Sequence, residues 1–84
     1  MADEIHVRGL LLTAVEILTS HTKAIVIESY RDADTVKFIV SVDPRDMADL
    51  GGNVGRIAHS LNILVCGMGR KLGQSMSVEI ACRR

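Results

Sequence analysis

Aromatic residues are almost missing from the chain: among its 84 residues stand one Phe, one Tyr and no Trp. Small domains bury a smaller fraction of their surface than large ones. The core must therefore come from aliphatic side chains, in a sequence that is 48% hydrophobic, and there is room for a single domain only. Cysteine is scarce as well. Cys66 and Cys82 form no CxxC pair and are too few for a disulfide framework, which fits free thiols in a reducing cytosol. Net charge is absent, with ten basic residues against ten acidic ones and a pI near 6.8. That excludes the uniformly basic surface of a tight nucleic-acid binder, so any such partner has to be held locally. No long apolar run occurs either. The longest uncharged one, Gly9 to Val15, falls well short of the ~20 residues that cross a bilayer. The start MADEIHVRGLLL is acidic where a secretory signal is basic, so a soluble cytoplasmic protein without membrane contact is expected.

What is present is periodicity. Val7, Leu11, Ala14, Val15 and Leu18 keep helical spacing, predicting a first helix over 3–20 with Asp3 as its N-cap. Leu10, Leu12 and Ile17 widen its apolar stripe beyond one buried face, so the helix is either deeply wedged or shared with another surface. Two segments rich in β-branched residues, 24–30 and 35–42, predict strands joined by the polar connector RDAD at 31–34 as an antiparallel hairpin. Asp43-Pro44 marks the change from strand to a short helix at 44–50, with proline in its first turn. Ile57, Leu61, Leu64, Val65, Met68 and Leu72 predict a long amphipathic helix over 56–72, and Met76, Val78, Ile80 and Cys82 alternate as a strand at 75–82. Gly67 and Gly69 inside that helix point to close packing or to fraying. A right-handed crossover would make the last strand parallel to its sheet neighbour and place all three helices on one sheet face. Ile39 and Val26 would then face outward, available to a partner.

Between the second and third helices lies DLGGNVGRIAHSL, with three glycines within five residues and an arginine directly after them. Glycine permits positive φ and close approach of another molecule. The following helix start offers unsatisfied N–H groups and the positive end of a dipole, both suited to a phosphate. The turn is then either a tight corner or an anion cradle to which Arg56 adds a full charge. His6, His21 and His59 have no metal-ligand spacing with each other or with the cysteines, and no nucleophilic constellation is present, so neither a metal site nor an enzyme is expected. Cys66, within an apolar helix, reads as a buried inert thiol.

DMADLGGNVGRIAHSL resembles the helix, GxxG loop and helix of K-homology (KH) domains, with Gly52-Asn53-Val54-Gly55 as the loop. The α-β-β-α-α-β order is similar to the type II KH arrangement, an α+β fold with a three-stranded mixed sheet and three helices on one face. Chain length, the approach through Val42, Pro44, Asp46 and Met47, and GRIAHSL are similar to small bacterial single-KH proteins of the KhpA/YlqC kind. The resemblance covers nearly the whole chain. It implies single-stranded RNA binding, with the backbone of Gly52, Asn53, Val54 and Gly55 clamping sugar-phosphate, Arg56 assisting and bases lying on an apolar floor that includes Ile57. Residues 31–34 become the variable loop on the opposite lip, so Arg31, and Arg45 nearby, are candidate groove cations. The resemblance further implies an RNA chaperone or post-transcriptional regulator without cofactor or small-molecule substrate, forming homodimers and pairing with a larger Jag-type KH protein.

Asn53 and Val54 occupy positions where the family carries Lys or Arg, and Gly51 replaces a bulky aliphatic residue. Asp32, Asp34, Asp46 and Asp49 add negative charge around the groove, against Arg31, Arg45, Arg56 and Lys71. Weak binding with a shallow salt dependence is expected, because few phosphates are neutralised. The alternative is a protein-interaction module that keeps the KH fold with degraded RNA affinity. A second strip on the long helix, Ile63, Cys66, Gly67 and Arg70, either completes the core or forms a subunit contact.

Overall fold

The computed structural model of the protein describes residues 4–50 and 55–82. The elements follow the order α1 (Glu4–Leu18), a 3-10 turn (Thr22–Ala24), β1 (Val26–Asp32), β2 (Thr35–Val42), α2 (Pro44–Leu50), α3 (Arg56–Lys71) and β3 (Ser75–Cys82). Strand order in the sheet is β1-β2-β3. β1 pairs antiparallel with β2, and β2 pairs parallel with β3. This is the α+β arrangement of a type II KH domain.

Period-two alternation explains the core. In β2 every second side chain, Val36, Phe38, Val40 and Val42, is fully buried. Onto that row pack Val7, Leu11 and Val15 of α1, Leu50 of α2, and Ala58, Leu61 and Val65 of α3, in one continuous cluster with Met76, Val78 and Ile80 of β3. α1 is thus not deeply wedged: Leu10, Leu12 and Ile17 are exposed.

Several expected boundaries move. Ala24 belongs to the 3-10 turn, held by its N–H on His21 O (3.1 Å), and the strand begins at Val26. Arg31 and Asp32 are strand residues paired with Val36 and Thr35, so the connector shrinks to Ala33 and Asp34. Glu4 draws Arg31 into the strand (Nη2 to Oε1, 2.8 Å), and Ala33 takes a left-handed φ of 54° to reverse the chain in two residues. Polarity suggested a loop, yet an edge strand exposes polar side chains equally well. α1 also stops at Leu18, two residues short of the expected end. Asp3, its expected N-cap, lies outside the described residues.

Asp43 caps α2, its Oδ1 accepting the Arg45 N–H at 2.9 Å, with Pro44 at the first helical position. At the far end of α3, Gly73 has φ 72°. Its N–H donates to Arg70 O (3.2 Å) and that of Gln74 to Gly69 O (2.9 Å), a Schellman closure that aims the chain into β3. Gly69 is the point of closest approach between α3 and β3. A Cβ there would lie 2.8 Å from Gln74 O and 2.9 Å from Met76 Cβ, whereas one at Gly67 would meet nothing within 4 Å. Close packing is the role of Gly69, and Gly67 has no part in it.

Candidate nucleic-acid interface

Gly51, Gly52, Asn53 and Val54 lie outside the described residues, so the described site begins at Gly55. Gly55 is extended (φ −79°, ψ 168°) and is the N-cap of α3 without a side-chain cap. Its carbonyl accepts the His59 N–H at 3.1 Å. α3 contains no carboxylate, while Arg56, Arg70 and Lys71 give it three fixed positive charges. The zero net charge of the chain therefore hides a strongly one-sided helix.

α3 has two flanks beside its buried stripe. His59, Asn62, Ile63, Cys66, Gly67 and Arg70 line a groove of about 470 Å³. Asn62 Oδ1 accepts the Val78 N–H at 3.2 Å, which ties this flank to edge strand β3. Ile63 is 60% exposed and Cys66 is exposed, so the strip does not complete the core, and the expected buried thiol is at the surface. The buried positions Ala58, Leu61 and Val65 already fill the contact with the sheet, and Cys66 falls one residue, about 100°, off that row.

On the other flank Arg56, Ile57, Ser60, Leu61 and Leu64 form a cleft of about 280 Å³ with Leu18 of α1. Ile57 is half-buried against the core on this side. The structure does not place it among the groove-lining residues, because position 57 is turned away from position 59 by two helical steps.

The remaining candidate cations are engaged elsewhere. Arg31 is bound by Glu4 through Nε (3.1 Å) and Nη2 (2.8 Å). Arg45 is clamped by Asp43 through Nε (2.9 Å) and Nη2 (3.0 Å) at the start of α2, the opposite end of that helix from the glycine turn. The Arg45 side chain and N–H hold the Asp43 carboxyl far below the usual carboxylate range. Asp46 also does not face a groove. It is buried and accepts the N–H groups of Ser20 (3.0 Å) and His21 (3.0 Å) and His21 Nδ1 (3.1 Å). The Ser20 N–H contributes most to lowering its pKa, with the His21 backbone and ring adding to it against the opposing effect of burial. This bond set ties α2 to the segment that follows α1.

His59 and Asn62 were not singled out from the sequence, although their spacing with Ile63, Cys66, Gly67 and Arg70 marks one helical stripe. Asp46 and His21 are 25 residues apart, and no local pattern connects them. Among the described residues no group of three His, Cys, Asp or Glu side chains is placed to hold a metal ion, and no helix is long and apolar enough to cross a membrane.

The RNA-binding protein KhpA of Aquifex aeolicus (strain VF5) is 35% identical over 69 residues, covering 82% of this chain and 86% of that protein. The chain belongs to the KhpA family. No protein-family model matches it, and neither does a solved structure. In this KhpA-family chain Gly55 caps a helix whose fixed charges are all positive and whose flank carries an open groove.

Proposed function

We propose that this protein binds single-stranded RNA along α3. The observation that carries the reading is the conjunction of an all-cationic helix, an N-terminus without a side-chain cap, and an open groove on that helix. Backbone N–H groups of Gly52 to Gly55 and the first turn of α3 hold the sugar-phosphate chain, and Arg56 neutralises a phosphate. Bases lie on Ile63, Cys66 and Gly67, with His59, Asn62 and Arg70 at their polar edges. Among the described candidate cations Arg31 and Arg45 are held by carboxylates, which leaves those of α3, so binding is weak and suits an RNA chaperone or post-transcriptional regulator in the cytoplasm. The relative's description as an RNA-binding protein supports the reading. Titrating the 15N-labelled protein with a single-stranded RNA oligomer tests it. Amide shifts are expected at Gly55 to Ile57 and along His59, Asn62, Ile63 and Gly67, abolished by Asn53→Asp with Val54→Asp. No shift at millimolar RNA would leave a protein-interaction module.

One observation also favours association. Leu10, Ile17 and Leu18 share a stripe of α1 and remain 48%, 79% and 42% exposed, and Leu64 across the cleft is 55% exposed. We infer that this surface is the homodimer contact, and that a larger Jag-type KH protein competes for it. Leu64→Glu should give a monomer in analytical ultracentrifugation; an unchanged sedimentation coefficient would refute the assignment.

A further inference from the structure

All three helices cover one face of the sheet, and among the described residues nothing covers the other. By the strand register its charged and larger side chains are Glu28, Tyr30 and Asp32 from β1, Lys37 and Ile39 from β2, and Glu79 from β3, set among smaller residues. Three carboxylates face one amine, and that amine, Lys37 Nζ, is already bound by Glu79 Oε1 at 3.1 Å. Tyr30, the chain's only tyrosine, lies directly opposite Lys37 and is 55% exposed. The charge of this face is opposite in sign to that of α3. Among the described residues, α3 and the open sheet face thus carry opposite charge.

We infer that the open face docks a protein segment rich in arginine and lysine. Glu28 and Asp32 are exposed on edge strand β1, where they can pair with incoming cations. The Tyr30 ring offers a guanidinium a π-face, and half-buried Ile39 gives its aliphatic stem an apolar contact. The same carboxylates repel a phosphate backbone, so RNA is excluded from this side. The inference stands on the charge, the exposed Tyr30 ring and the Ile39 contact of this face and does not depend on RNA binding at α3.

With no tryptophan and one tyrosine in the chain, intrinsic fluorescence reports directly on Tyr30. The test adds a blocked decapeptide of alternating arginine and valine to the full-length 15N-labelled protein, and in parallel a matched peptide with glutamate for arginine. The arginine peptide should change the Tyr30 emission and shift the amides of Glu28, Tyr30, Lys37, Ile39 and Glu79, while the glutamate peptide does neither. Glu28→Gln with Asp32→Asn should weaken binding about fivefold, the size expected of two exposed ion pairs, and 0.5 M salt should weaken the wild type comparably. Both substitutions are isosteric and exposed, and the salt series gives an answer even if the double variant misfolds. Absence of change at millimolar peptide, shifts confined to α1 and α3, binding indifferent to both salt and the double substitution, or equal shifts of these five amides by an RNA oligomer would each overturn the inference.

Discussion

Two glycines two residues apart on α3 should respond to the same substitution with opposite signs. Alanine gains about 1 kcal/mol of helix propensity over glycine at an interior position. At Gly67 the added methyl meets nothing within 4 Å, so that gain is realised in full and Gly67→Ala stabilises by about 1 kcal/mol. At Gly69 the methyl would sit 2.8 Å from a backbone oxygen, Gln74 O, and 2.9 Å from Met76 Cβ. Neither atom is the end of a flexible chain. Gln74 is fixed by its N–H on Gly69 O (2.9 Å) and Met76 by its register opposite Val36, so α3 and β3 have to separate. Overpacking of this kind costs roughly 1–3 kcal/mol. With fixed atoms on both sides the upper end applies, and after the propensity gain Gly69→Ala is left about 2 kcal/mol less stable than wild type. For a domain of this size that is a fall of about 10 °C in Tm. Urea unfolding followed by far-UV circular dichroism, at low protein concentration and without RNA, gives both values. A Gly69→Ala protein as stable as wild type, or a destabilised Gly67→Ala, would refute the packing argument.

The Asp46 carboxyl has a lowered pKa in the fold, so its contribution is complete above the unfolded value of about 4 and is lost as pH falls through the folded one. Urea midpoints should stay level from pH 7 to 5 and drop below about pH 4; Asp46→Asn should lower the midpoint at pH 7 and flatten the acid limb. Arg56→Ala should weaken single-stranded RNA binding about fivefold and reduce the slope of log affinity against log salt by about 0.7, as read by fluorescence anisotropy across a salt series; an unchanged slope would remove Arg56 from the phosphate contacts. Ala33 holds a left-handed φ of 54°, which costs a residue with a Cβ about 1 kcal/mol. Ala33→Gly should therefore raise the thermal midpoint by a few degrees, and a lower midpoint would show that the turn is not strained.

Elements whose cause is local were legible in the sequence. The alternation Val36, Phe38, Val40, Val42 fits only a strand with one buried face, and Asp43-Pro44 can start a helix whatever lies around it. The loop expected at Gly52 to Val54 lies outside the described residues, and only Gly55, the N-cap of α3, is placed. Polarity alone does not separate loop from edge strand: RDAD has a loop's composition, and nothing local shows Glu4 meeting Arg31. The groove strip of α3 was noticed, but its exposure depended on how α3 sits on β3, which Gly69 and the Asn62 to Val78 bond decide.

Spacing within a few residues was enough to read the existence and order of the helices and strands, because each element's cause is local. Tertiary structure alone decided which charges are held and which side each one faces. Arg31 is engaged by Glu4 from 27 residues away, Asp46 is buried against His21, and the cations of α3 are separated from the acids of the open sheet face. Charge is summed over the sequence but acts through distance, and distances between remote residues exist only once the crossover has placed the helices on a single side of the sheet.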